Sequence, residues 1–360
     1  MGVGKIWERY FLKEFAKIFF LFMASFCFLY VLVDYSIHGR MFSKIGISLN
    51  EVFIYYGFHF VKKAEILIAF ALTLATVKVL TSSNMHNELV ALFVGGVKAK
   101  SLLRPFFIVS VFCMCFLYFN FEFLTPKALQ ALQEFKDVRL TEKTNNRQQK
   151  ESIHQMPLSD NSTIVYQSYD SNLKAFFDVF WIRSSDQIFR IKYLFPHGKD
   201  PLGYFIDHLI RNTEGRFILF ESFEEKIFDE MRFDEELLRS ALISPERQSL
   251  SQLWSNLSFS KRKLTDKEAL ILTTFSYKAI IPLICLLTIM APAPFCVRFN
   301  RNFPVFLIYG MSIFLLISFF TFMDAAMILG ESQTLSPVGV ICFPVLFFFL
   351  LFGIPFYHMK

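Results

Sequence analysis

Six apolar runs decide what this chain can fold into: residues 18–33, 66–77, 106–121, 279–297, 303–323 and 337–357. A bilayer core takes about 20 mainly apolar residues of helix. No water inside it satisfies a free peptide group, so apolar runs of this kind must close their hydrogen bonds within a helix. Each run is therefore expected to span a membrane. The second is short, but a helix extended to Leu80 with Lys78 snorkelling still reaches across. The first is not read as a cleaved signal peptide. Its apolar run is too long, and Asp34 follows where small residues would mark cleavage.

The charges lie elsewhere. Residues 126–268 carry 21 of the 37 Lys and Arg and 22 of the 31 Asp and Glu. The whole chain is 54% hydrophobic and only 19% charged, with 48 Phe, whereas a soluble domain carries about 25% charged residues. This excludes a disordered chain, a collagen and an ordinary soluble enzyme. A nucleic-acid binder would gather Lys and Arg on its polar domain. Here the polar block is nearly neutral, and the net charge of +6 belongs to the two hydrophobic blocks. All six cysteines lie in apolar runs without metal-ligand spacing, so they read as small apolar side chains.

Orientation follows from the short connections. Lys5, Arg9, Lys13 and Lys17 precede span one; Lys78, Lys98, Lys100 and Arg104 lie between spans two and three. Arg298 and Arg301 lie between spans four and five, and Lys360 follows span six. All fall on one face of a six-span chain, which is expected to be cytoplasmic. Both termini would share it, and the polar block would lie on the other side. Within that block, residues 163–169, 175–182, 187–194 and 216–221 alternate like strands. Pro196-His-Gly198 and Glu214-Gly215 read as turns. Short strands at this spacing favour an all-β sandwich or open barrel, and residues 127–150 read as a polar helix prolonging span three.

Catalytic signatures are missing from the sequence. Gly2-Val-Gly-Lys5 lacks the spacing of a phosphate loop, and there is neither H-E-x-x-H nor G-x-S-x-G. Asp324 stands alone and reads as a helix-end residue. The informative stretch joins spans two and three. Asn84 or Asn87 could cap a short helix led by Glu88, with Leu89, Leu92 and Phe93 on one face and Gly95-Gly96 at its end. Such a helix either rests on lipid or enters a groove of a partner ATPase.

This stretch, Glu88-Leu-Val-Ala running to Gly95 and then Arg104-Pro105, resembles the LptF/LptG (YjgP/YjgQ) lipopolysaccharide-export permease family. Arg9-Tyr10-Phe11, Asp178-Val-Phe-Trp-Ile-Arg183, Leu329-Gly330 and Ser336-Pro337 resemble it too, and Lys278 matches a basic position before span four. The chain departs from the family at residues 61–66, which lack its prolines. The resemblance implies an α-helical integral membrane protein of six transmembrane helices, with a periplasmic β-jellyroll-like domain between helices 3 and 4. Its parts would be 1–125 (spans one to three, coupling helix near 84–97), 126–268 (β domain) and 269–360 (spans four to six).

It implies an inner-membrane permease subunit of an ABC-type exporter. The partners would be a paralogous six-helix chain, a dimeric cytoplasmic ATPase, a bitopic jellyroll protein and a periplasmic bridge. ATP and Mg²⁺ would sit on the ATPase, with no cofactor on this chain. Lipopolysaccharide would enter from the outer leaflet between span one of one chain and span five of the other. The Asn-Glu-Leu-Val-Ala loop and Asp34 lean toward LptG of the two paralogous types.

Glu88, Leu89, Leu92 and Phe93 would meet the ATPase. Asp34, His38, Arg40, Lys44, Lys62, Lys63 and Glu65 lie near the outer leaflet; the basic residues Arg40, Lys44, Lys62 and Lys63 suit multivalent phosphates, or simply anchor helix ends. Phe19, Phe22, Phe26 and Tyr30 on span one, and Phe314, Ile317, Phe320 and Thr321 on span five, could line an acyl-chain cavity or pack on neighbouring helices. The alternatives are a permease for a different lipid and an envelope scaffold that transports nothing.

Overall fold

The structure, a computed structural model, describes residues 5–45, 48–141, 154–158, 162–170, 173, 175–196, 201–212, 215–231, 244–257, 266–297 and 304–359. It forms two compact units. Met1–Glu142 and Pro245–Lys360 make the first, and Lys143–Ser244 the second. The polar block thus divides, its flanks 126–142 and 245–268 grouping with the helices.

The helical unit contains α1 (Ile6–Ile45), α2 (Leu49–Met85), α3 (Glu88–Val94), α4 (Ala99–Leu102), α5 (Arg104–Phe119) and α6 (Thr125–Thr141), then α7 (Leu250–Ser255), α8 (Asp266–Ile280), α9 (Ile284–Met290), α10 (Ala293–Val297), α11 (Val305–Glu331) and α12 (Pro337–Tyr357). Six helical stretches are long and apolar enough to cross a membrane; five contain an expected span whole, and the fifth, Val305–Glu331, covers the expected 303–323 from residue 305 on. The helices outrun their apolar runs. At about 1.5 Å per residue, the 40 residues of α1 extend far beyond a hydrocarbon core. A capping box starts α2, Ser48 Oγ accepting from Glu51 N and the Glu51 carboxylate accepting from Ser48 N.

Span two shares the centre of the bundle with span four, whose apolar window is equally buried. The window of span two is 72% buried, against 6% for span one and 17% for span five. Small residues allow this, because lipid tails compete with any large apolar side chain and close backbone approach is what favours helix contact. Ala64, Ala69, Ala71 and Ala75 are all buried, and the hydroxyls of Thr73 and Thr76 are spent on the carbonyls of Ala69 and Leu72. Phe11, Phe15 and Phe19 of α1 pack into the same core, beside Phe106 at the start of α5.

Spans three and four are irregular. Between α5 and α6 the backbone makes a π turn, Asn120–Leu124, so span three continues as one rod into the polar helix expected there. Residues 142–150 of that expectation lie outside the described residues. Span four breaks at a 3₁₀ turn, Ile281–Leu283, where Pro282 has no N–H to give. It breaks again at Ala291-Pro292 before α10.

Spans four and five meet closely at Gly330. A Cβ there would stand 2.9 Å from Thr273 Cγ2 and Oγ1. Gly330→Val is therefore expected to destabilise the chain by about 1–3 kcal/mol through overpacking. Gly310→Val, on the same helix with nothing within 4 Å of a Cβ, is expected to cost nothing. Thermal denaturation of the two variants in one detergent checks the contrast.

In the second unit β1 (His154–Pro157), β2 (Thr163–Asp170), β3 (Ala175–Ser184), β4 (Gln187–Phe195), β5 (Leu202–Arg211) and β6 (Phe217–Ile227) form one antiparallel sheet in chain order. The all-β expectation holds. Among the described residues the strands run as a plain meander, without the crossover pairing of a jellyroll in the strict sense. Ile164, Tyr166, Phe176, Val179, Trp181, Phe189 and Ile191 make one buried face, closed by Phe228 and Met231. The turn at Gly215 is present with φ +83°; Glu214, His197 and Gly198 lie outside the described residues. The strands β1 and β5 were not foreseen. A register shift at His208–Leu209 breaks the alternation of β5.

His208 lies flat on Phe189, ring centroids 4.2 Å apart and planes 4° from parallel. Burial, then the nearby positive charge of Lys226, lower its pKa below the ordinary value of 6.5; Glu221 opposes this and Arg183 adds to it. The folded state therefore binds the proton more weakly than the unfolded chain does. This contribution to stability is fully present above 6.5 and is lost as pH falls through and below that value. His208→Phe is expected to remove that part of the acid sensitivity, read as the pH dependence of hydrogen exchange across β4–β6.

Candidate functional site

The chain offers two places where polar chemistry concentrates in the helical unit. The first is α3. Asn87 occupies its N-cap with φ 59° and makes no side-chain cap, while Asn84 Nδ2 donates to the carbonyl of Cys296, 3.1 Å away. The expected asparagine cap is thus absent: Asn87 takes the left-handed turn without a cap bond, and Asn84 is spent on a distant helix. The end is as expected. Gly96 N–H bonds to Phe93 O and Val97 N–H to Leu92 O, both at 3.0 Å, with Gly96 at φ +81°, the pattern of a Schellman motif.

The three apolar residues of α3 expected at the ATPase pack inward in the chain itself. Leu89 is only 1% exposed, and Leu92 and Phe93 pack half-buried against the bundle core. These three hold the helix down and are not a free surface. The open stripe is Val90, Ala91 and Val94, the last 84% exposed, with Met85 beside it. Glu88, in the first turn, accepts a hydrogen bond from Tyr10 at 3.2 Å. The first helix and the loop motif, far apart in sequence, therefore meet at one carboxylate. Beside α3, Lys100 Nζ donates to the last carbonyl of α12, Tyr357 O, at 2.8 Å, and lies 4.9 Å from that residue's ring. A cavity of about 320 Å³ opens there between Phe93, Val97, Lys98, Val297 and Met359.

The second place is the opposite end of spans one to four. Asp34 and His38 pair at 3.2 Å on α1. Tyr30 bonds His59 at 2.9 Å, and Tyr55, Tyr56, Leu132 and Phe135 pack around them. Lys62 and Lys63 are exposed on α2. Glu65 turns inward, one carboxylate oxygen accepting from Tyr277 at 3.1 Å and the other buried without a hydrogen-bond partner. Arg40 and Lys44 belong to α1, and their side chains lie outside the described residues.

The aromatic stripes differ. Phe19 is buried, Phe22 stacks on Phe26, Phe26 meets Phe70, and Tyr30 reaches His59. Through Phe26 and Tyr30 this stripe packs on the chain's own second span. On α11 Phe320 stacks on Phe70. Phe314, Ile317 and Thr321 point outward, and Phe314 edges an apolar pocket of about 280 Å³ shared with Met311, Phe295 and Leu351.

Sequence reasoning missed a third cluster, around the irregular turns. The carboxylate of Glu122, in the π turn, accepts from the backbone N and hydroxyl of Ser251. Lys278 is 5% exposed and donates to the carbonyls of Glu246 and Gln248, both at 2.7 Å. Asn120 donates to Val61 O and Tyr118 to Ala279 O. The one visible signal was a lysine at the edge of an apolar run. Among the described residues no group of three His, Cys, Asp or Glu could hold a metal.

Six spans, a β unit inserted between the third and fourth, and a short helix displayed between the second and third define a polytopic membrane permease subunit. The model of the family described as Lipopolysaccharide export system permease LptF/LptG matches residues 9–358. The chain belongs to the LptF/LptG family, a multi-pass inner-membrane protein of lipopolysaccharide transport. No curated protein matches it.

Proposed function

We propose that the chain is one permease half of an ABC-type lipopolysaccharide exporter. It pairs with a paralogous six-span chain and docks on a dimeric ATPase that binds ATP and Mg²⁺, with no cofactor on this chain. The reading rests above all on the family match over residues 9–358. By the positive-inside rule the termini and α3 face the cytoplasm and the β unit the periplasm. Glu88 and the open stripe Val90, Ala91 and Val94 are then the surface offered to the ATPase, while Leu89, Leu92 and Phe93 support them from beneath.

Spans one and five are the least buried of the six, which favours a second chain covering them. Lipopolysaccharide enters from the outer leaflet beside the outward face of α11, with Lys62 and Lys63, and Arg40 and Lys44 on α1, as partners for its phosphates. It passes to the β unit, and from there to a bitopic jellyroll partner and a periplasmic bridge. The test is reconstitution of the chain with the paralogous permease and the ATPase in proteoliposomes. ATP-dependent release of lipopolysaccharide to a soluble periplasmic acceptor is expected. ATP hydrolysis without release would overturn the export reading.

A further inference from the structure

We propose that Lys278 and Glu122 are positioning residues that carry movements of spans four and three into residues 245–255, the segment through which the chain returns from the β unit. The proposal rests on the export reading above. Two separate ties hold this segment. The buried Lys278 ammonium grips the carbonyls of Glu246 and Gln248, each at 2.7 Å. The Glu122 carboxylate grips the backbone N–H and hydroxyl of Ser251, further along the same segment.

Each tie starts at a break in regular helix. Glu122 lies in the π turn Asn120–Leu124, a geometry that recurs at functional sites. Lys278 lies three residues before the 3₁₀ turn Ile281–Leu283. The breaks are themselves joined, Tyr118 of span three donating to Ala279 O of span four at 2.7 Å.

The held segment is braced by its own hydrogen bonds. A capping box links Ser249 and Gln252, and Asn256 Nδ2 bonds Gln248 Oε1 at 3.0 Å. A segment braced in this way and tied at two points moves with its anchors instead of absorbing their motion. The choice of lysine also argues for position over bulk stability. Burying an ammonium carries a large desolvation penalty, and buried charges can often be replaced by apolar residues of similar volume without loss. Here the charge is spent on two main-chain carbonyls, so it fixes backbone and not a partner side chain.

The experiment uses the complete permease–ATPase complex in proteoliposomes, with wild type, Lys278→Met, Lys278→Arg and Glu122→Gln. ATP hydrolysis, lipopolysaccharide released per ATP, and hydrogen exchange of residues 245–256 with and without nucleotide are measured. Lys278→Met and Glu122→Gln are expected to lower release per ATP about ten-fold while hydrolysis is kept. Exchange in 245–256 should rise and lose its response to nucleotide, and Lys278→Arg should restore part of both.

Unchanged release per ATP, or hydrolysis and release falling together with no rescue by arginine, would overturn the proposal. Should Lys278→Met fail to assemble, Glu122→Gln carries the test alone, because its tie lies at the surface. A wild-type complex that releases no lipid sinks the export reading instead. The exchange comparison then still decides whether the ties transmit nucleotide-driven movement.

Discussion

Glu88→Lys is expected to abolish retention of the ATPase when the chain is purified from membranes, while leaving the permease itself folded. Glu88 lies in the first turn of α3, where it accepts a hydrogen bond from the exposed Tyr10. Reversing its charge in a desolvated interface costs about 2–5 kcal/mol or more, enough to lose a complex during washing. Val94→Asp is expected to act in the same direction, because Val94 tops the open apolar stripe. Leu89→Ala is expected to behave differently. Its side chain is packed into the bundle, so it lowers the yield of folded chain before it touches the partner. Co-purification with the ATPase, normalised to the amount of permease, separates the two effects. A wild-type chain that brings down no ATPase would move the non-transporting scaffold ahead.

The second large effect is expected in the β unit. Trp181 is 1% exposed, stacks on Phe189 at 5.2 Å, meets Phe228 at 5.4 Å and donates its indole N–H to Ser162 at 2.8 Å. Trp181→Ala removes the largest buried side chain of this sheet, and with it the indole N–H that Ser162 Oγ accepts. A loss of about 3–5 kcal/mol is expected, a large share of a domain stability that is seldom above about 15 kcal/mol. Hydrogen exchange of β2–β4 in the full chain should rise steeply, with the spans unaffected. Protection in β2–β4 unchanged from wild type would mean that the sheet does not depend on this core.

The spans were legible because apolar runs in a bilayer have one hydrogen-bonding solution. Their true ends were not. Span two looks short at the sequence level because Lys62, Lys63 and Glu65 interrupt it, yet the helix runs on through them: the lysines reach outward and Glu65 finds Tyr277 from a helix 212 residues away. The helix α3 was legible from its Gly-Gly end and its spacing. Which face it turns inward was not, since periodicity marks a stripe but not what lies opposite it. The same holds for Phe19, Phe22, Phe26 and Tyr30. The ties of Lys278 and Glu122 could not be read at all, because nothing local tells a lysine which carbonyls will stand above it.

Long-range ties made by five side chains among the described residues of the helical unit share one property. Asn84, Lys100, Tyr118, Asn120 and Lys278 each donate from a side chain to a main-chain oxygen. The receiving position keeps its oxygen whatever residue it carries. Mutational tolerance should therefore be one-sided: a saturation library should find the five donors intolerant while Cys296, Tyr357, Ala279, Val61 and Gln248 accept changes that leave packing intact. Pairwise covariation should be blind to these contacts, however firmly they hold the bundle together.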